Sequence, residues 1–127
     1  MAPEINLGEA YSGQSVDLFA CGIILFILLT RRVPFTRAHP SDPHYYALVT
    51  NPESFWASHA EAEDGKDIYS AEFKDLFEKM CSFDAELRPR HEEVLAHPWM
   101  QGEMPTERDI INEFTQRRIA VKEYENK

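Results

Sequence analysis

Residues 15–29 read SVDLFACGIILFILL, and apart from Asp17 every position after Ser15 is apolar or small. The length of this run and its lack of proline favour a helix over a strand. A helix that is apolar on all sides belongs in the middle of a domain or in a membrane. A bilayer span needs about 20 apolar residues, and an acid near the start of the run disfavours it further. The stretch is therefore read as a buried central helix with Ser15 as its N-cap. It should end near Thr30, where Arg31 and Arg32 can face the last carbonyls, and Pro34 blocks its continuation. Such a helix needs protein on every side.

The remaining segments read as shorter helices and loops. Met1–Gln14 is an irregular lead-in, with a turn at Tyr11-Ser12-Gly13. Asp42 followed by Pro43 is a cap-plus-first-turn signal, and Tyr45, Tyr46, Leu48 and Val49 give that helix an apolar face that stops before Asn51-Pro52. Phe55-Trp56 reads as an apolar anchor behind it. Ala60–Asp67, rich in acids, reads as a solvated surface loop. The clearest period lies in 70–81, where Phe73, Leu76, Phe77 and Met80 recur at i, i+3, i+4 and i+7 behind a Ser70 cap. A loop over 83–89 leads to a helix over 91–97, with Glu92 and Glu93 in its first turn, Val94 and Leu95 facing inward, and Pro98 ending it. From Pro105 onward, Ile110, Ile111, Phe114 and Ile119 form a partial stripe interrupted by Arg117 and Arg118. No strand pattern stands out, so the fold class is mainly α without a substantial sheet.

Charge and residue chemistry narrow the functions available. A net charge of −9 argues against nucleic acid or an anionic membrane surface as a partner, since both require a basic patch. The same acidity can favour basic peptides, although solubility alone also accounts for it. Two cysteines, Cys21 and Cys81, both in helical patterns, read as small buried hydrophobes of a reducing compartment. With no basic segment ahead of an apolar one at the N-terminus, cytoplasm or nucleus is expected. The five glycines are dispersed, so there is no phosphate-cradling loop. The five histidines never pair with cysteines at metal-ligand spacing, and His91 and His97 sit roughly 120° apart around a helix. Two residues stand out against this background. Asp17 at the start of a buried helix must be paired or hydrogen-bonded, with a helix cap as the simplest role. Arg88, between Leu87 and Pro89, is either a solvated loop arginine or the partner of a carboxylate distant in sequence.

Taken together, the short motifs resemble the eukaryotic protein kinases. Ala2-Pro3-Glu4 is similar to the motif that closes the kinase activation segment. Tyr11-Ser12-Gly13, Asp17-Leu18-Phe19-Ala20-Cys21-Gly22, Pro34-Phe35, Arg88-Pro89 and His97-Pro98-Trp99 then follow in kinase order and spacing. The likeness runs from about Ala2 to Met100 and is nearest to the calcium/calmodulin-dependent serine/threonine group. It implies the distal half of a kinase C-lobe over 1–100, helices around one central buried helix, and a helical tail over 101–127. That tail either packs on the lobe or begins a regulatory segment.

The resemblance also assigns roles. Glu4 and Arg88 would form the buried ion pair that ties the activation segment to the C-terminal helices. Asp17 would accept hydrogen bonds from catalytic-loop N–H groups. Ile24 and Leu28 would support the apolar column beneath the adenine ring. Departures accompany these matches: Phe19 replaces the usual tryptophan, Arg31 the glycine that ends the central helix, Arg90 a Ser/Thr cap, and Ile27 a glutamate that reads substrate arginine in some kinases. The family's phosphoryl-transfer groups lie upstream of Ala-Pro-Glu, so no catalytic, nucleotide or metal residue is assigned here. ATP and Mg²⁺ belong to the full-length family member, and Met1 is either an internal methionine of that longer protein or a true start. The implied partners are protein substrates or the missing N-terminal part, with no nucleic acid and no membrane. An inert, truncated C-lobe acting as an interaction module is the alternative, and an unrelated helical adaptor is a third. The kinase reading requires an enclosed Asp17 and a Glu4 close to Arg88.

Overall fold

The computed structural model describes residues 1–62 and 68–127, with Glu61 and Ala62 described by backbone alone. Among the described residues there are helices and connections and no strand. The helices are α1 (Pro3–Asn6), α2 (Gly13–Thr30), α3 (Pro43–Thr50), α4 (Pro52–Ala62), α5 (Ala71–Met80), α6 (His91–Ala96) and α7 (Glu107–Glu125). Short 3₁₀ turns cover Ala85–Leu87 and Pro98–Gln101.

The long helix α2 starts earlier than the sequence suggests. Ser12 is its N-cap and makes no side-chain cap bond. Ser15 lies inside the first turn, where its hydroxyl donates to the Ala85 carbonyl at 3.4 Å. One stripe of α2 is buried: Phe19, Gly22, Phe26 and Thr30, at i, i+3, i+7 and i+11. Gly22 sets how closely α5 approaches, because a Cβ there would lie 2.9 Å from Cys81 Sγ and 3.1 Å from Met80 Cβ.

The core around this stripe is aromatic. Phe26 is fully enclosed, with ring centroids of His59 at 4.9 Å, Phe77 at 5.1 Å, Tyr69 at 5.9 Å, and Phe55 and Trp56 at 6.2 Å. Near the start of α2, Phe19, Phe35 and Tyr45 form a second group, with Phe35 edge-on to Tyr45 at 4.9 Å. Helix α5 buries Phe73, Leu76, Phe77 and Met80 behind a Ser70 cap that accepts from the Phe73 N–H at 3.1 Å.

Expectation and structure part at several places. Phe55-Trp56 is not an anchor after a helix but part of α4, which also runs through the first residues of the 60–67 segment read as loop. Asn51 ahead of Pro52 starts α4, its Oδ1 accepting from the Ser54 N–H at 3.4 Å. Phe55, Trp56 and His59 then bury one face. Residues 63–67 of the expected loop lie outside the described residues. In α6, Val94 is half-buried but Leu95 is exposed, because that short helix packs through one side only. Every residue of α7 is exposed, and a capping box of Thr106 and Asp109 starts the helix.

The largest correction concerns α2 itself. It is not enclosed on all sides: Asp17, Cys21, Ile24 and Leu28 form an exposed stripe directly opposite the buried one. By length and composition alone α2 could cross a membrane. Its buried stripe, however, is already covered by α4 and α5, and its exposed stripe contains a carboxylate, which lipid disfavours. Hydropathy reports that a surface wants cover but not whether the covering segment lies in the chain at hand.

Two local devices fix the chain between α2 and α3. The Asp42 carboxylate accepts from the N–H groups of His44 and Tyr45 at the start of α3, and from those of Thr36 and Arg37 in the preceding loop. Burial alone would raise its pKa, but these four donors more than offset that and hold it below the usual carboxylate range. At the end of α2, Arg31 takes the left-handed conformation (φ 61°, ψ 18°) that glycine would adopt more easily, and its N–H bonds to the Ile27 carbonyl at 2.7 Å. Arg31→Gly is therefore expected to stabilise the fold by about 1 kcal/mol, the left-handed penalty less glycine's extra freedom when unfolded. A denaturant midpoint unchanged or lowered in that variant would contradict this account of the cap.

Candidate functional site

Arg88 is brought to its place by a proline-bounded loop. Asp84 caps the 3₁₀ turn 85–87 through the Glu86 N–H, and Pro89 holds the chain extended immediately after the arginine. Its guanidinium is then directed beneath the start of α2. Glu4 comes from the opposite direction on α1, whose first turn begins at Pro3. The two side chains meet in bidentate fashion: Arg88 Nη1 donates to Glu4 Oε1 at 2.6 Å and Nη2 to Oε2 at 2.8 Å. Their side chains are 1% and 8% exposed.

The rest of the guanidinium is satisfied as well. Nε donates to the Ser82 carbonyl at 2.9 Å, and Nη1 lies 3.3 Å from both the carbonyl and the hydroxyl of Ser15. The Phe19 ring lies beneath the cation at 5.0 Å. Hydrogen bonding to Arg88 holds the Glu4 carboxyl below its ordinary pKa, against the opposing effect of burial. One cation thus joins α1, the start of α2, and the end of α5. Ser15, Ser82 and Phe19 were not legible as its partners. Ser15 and Phe19 are about 70 residues away in sequence, and no local pattern connects them to Arg88.

The other three residues singled out in the sequence do not join this pair. Asp17, Ile24 and Leu28 share the outward stripe of α2, with Ile24 54% and Leu28 74% exposed. Asp17 is not the buried, paired or capping carboxylate expected; it is exposed and makes no hydrogen bond or ion pair among the described residues. Cys21, expected to be buried, lies on the same stripe as a free thiol, whereas Cys81 is buried. Of the two conditions set by the sequence, the closeness of Glu4 and Arg88 is met and the enclosed Asp17 is not; enclosure is too strict a requirement, because only one face of α2 is covered within this chain. The closeness of that pair leaves no room for the unrelated adaptor, which required them far apart.

The last turn of the lobe-like region is held by His97. Its Nδ1 accepts from the Trp99 N–H at 3.1 Å, leaving Nε2 to donate to Asp75 at 2.7 Å. This seats the Trp99 ring 5.5 Å from that of Phe73. Arg90, the N-cap of α6, has no acceptor atom and makes no side-chain cap bond; only the reciprocal contact from Glu93, at 3.4 Å to its N–H, is present.

Comparison with known proteins gives one consistent answer. A sequence profile of the protein kinase domain matches residues 1–100. A human SNF-related serine/threonine-protein kinase is 34% identical over 105 residues, covering 83% of this chain and 12% of its own length. The calcium/calmodulin-dependent protein kinase cmkA of Emericella nidulans is 31% identical over 116 residues, covering 89% of this chain and 25% of its own. In structure, the chain is similar to the Rad53 kinase domain crystallised with SCD2 and AMPPNP. The TM-score is 0.53 at 21% identity, over 83% of this chain and 39% of that one. The chain therefore spans about an eighth to a quarter of the curated relatives it matches.

Proposed function

The chain belongs to the protein kinase family, and from that membership we propose that it serves as the supporting half of a serine/threonine kinase C-lobe, working with residues upstream of Ala2. In the full-length protein a phosphoryl group would pass from ATP–Mg²⁺ to a hydroxyl of a protein substrate. The described residues do not suit the nucleotide or its metal. The sequence has no glycine-rich loop, and among the described residues no group of three His, Cys, Asp or Glu is placed to hold a cation.

The observation that carries the proposal is the exposed stripe of α2. Asp17 at one end asks for hydrogen-bond donors, and Ile24 and Leu28 further along ask for apolar cover. A catalytic loop with free backbone N–H groups, followed by the apolar column beneath an adenine ring, meets both needs in that order. Asp17 is then a positioning residue, acting through the loop it holds. The Glu4–Arg88 pair fixes the end of the activation segment to the same helix, which helps shape the surface where protein substrates dock. Both cysteines are free thiols, which suits the cytoplasm or nucleus.

The 127-residue chain alone should transfer no phosphate from radiolabelled ATP to a protein substrate. In the full-length protein, Asp17→Ala should lower turnover by up to about a hundredfold through misplacement of the loop, with ATP binding little changed. Transfer by the purified chain, or full turnover in that variant, would refute the assignment. Upstream coding sequence lacking in-frame His-Arg-Asp and Asp-Phe-Gly blocks would instead favour the inert interaction module.

A further inference from the structure

We propose that the groove between the lead-in to α2 and the connection from α5 to α6 is a docking site for a peptide segment that alternates apolar and basic side chains. The groove has a volume of about 1060 Å³ and is open along one side. This is at or beyond the upper end of small-molecule pockets, so an extended stretch of chain fits it better than a compact ligand.

Its apolar surface includes Tyr11 and Leu18 from one wall and Leu87 from the other. Tyr11 and Leu87 are exposed and Leu18 is half-buried, so an occupant could cover all three. Around them stand the exposed carboxylates of Glu9, Asp84, Glu86 and Glu93. The Glu4–Arg88 pair also borders the groove, but each of those charges is already matched by the other. Arg90 is the remaining cation there, and its Nε lies 3.4 Å from Glu93, so its charge is directed at the rim itself. The resulting field is negative and sits on a chain of net charge −9. It repels nucleic acid, phosphopeptides and anionic lipid, and attracts lysine and arginine.

The groove is also preformed. Arg88 bonds to the Ser15 and Ser82 carbonyls, and the Ser15 hydroxyl bonds to the Ala85 carbonyl, so its two walls are cross-linked. An occupant therefore does not have to order the site on arrival. The proposal goes beyond phosphoryl transfer, because none of these residues is assigned to holding the catalytic loop or the adenine column.

The test is fluorescence anisotropy on the 127-residue chain, with a labelled peptide of about a dozen alternating leucines and lysines and a counterpart carrying glutamate for lysine. The lysine peptide should bind and the glutamate peptide should not. The double variant Glu9→Lys, Glu86→Lys should bind the lysine peptide about tenfold more weakly. Tyr11→Ala should weaken binding without changing the charge. A control double variant with the same charge change elsewhere, Glu53→Lys and Glu72→Lys, should bind as the parent does. Equal losses in the two double variants would reveal general attraction to an acidic chain and overturn the proposal, as would equal binding of the glutamate peptide. Circular dichroism on each variant separates loss of binding from loss of fold.

Discussion

Arg88→Ala should destabilise the chain by about 3–5 kcal/mol, measured as a fall in the midpoint of urea unfolding. The size follows from what remains behind. The Glu4 carboxylate would stay buried without its bidentate partner, and the carbonyls of Ser15 and Ser82 would lose a donor. The loss is not a measure of what the pair contributes over an apolar replacement. Glu4→Leu combined with Arg88→Met should therefore cost less than the two single changes added together. A double variant equal to the sum of the singles would show the two charges to be independent. The acid side offers a second readout. Arg88 lowers the Glu4 pKa in the folded state, so the pair's stabilisation is present above the unfolded carboxyl pKa, about 4.3, and is lost as pH falls through the lower folded value. Arg88→Ala should flatten that part of the acid unfolding profile.

Phe26→Ala should have a comparable effect, about 3–5 kcal/mol, for a different reason. Its ring is fully enclosed and contacts five others, drawn from α4, α5 and the residue before the Ser70 cap. Removing it leaves a cavity walled by large flat side chains that fill space poorly when one of them is missing. Phe26→Leu, which keeps most of the volume, should cost about 1.5 kcal/mol or less. Since a domain of this size has roughly 5–15 kcal/mol in hand, the alanine variant should be partly unfolded near physiological temperature. A loss below about 1 kcal/mol would mean that the neighbouring rings close over the gap.

What could be read from the chain depended on how local each signal was. The stripe of α5 repeats within one helix, and Asp42-Pro43 announces α3 in two residues, so both were legible. Helix α4 was missed because Phe55-Trp56 and His59 stand among serines, alanines and glutamates that also suit a loop; the Asn51-Pro52 start was the available signal. The apolar run of α2 was plain, but its exposure was not. Ile24 and Leu28 have the same composition whether a neighbouring segment covers them or is absent from the chain. Glu4 and Arg88 lie 84 residues apart, with nothing periodic between them. Only the kinase-like order of the flanking motifs relates them, and that order says nothing of Ser15, Ser82 or the Phe19 ring. Leu95 shows the opposite case: an apolar residue within a helical pattern faces outward, because six residues of α6 leave room for one buried side only.

The two opposite stripes of α2 make it one flank of a seam. The rings stacked against Phe26 on its inner side come from α4, α5 and Tyr69. Under the proposed reading, the outer side, exposed along Asp17, Cys21, Ile24 and Leu28, takes its mate from residues upstream of Ala2. On that reading the outer stripe, rather than the aromatic core, is what a catalytic loop grips, and the inner stripe is what keeps the helix in place while it does so.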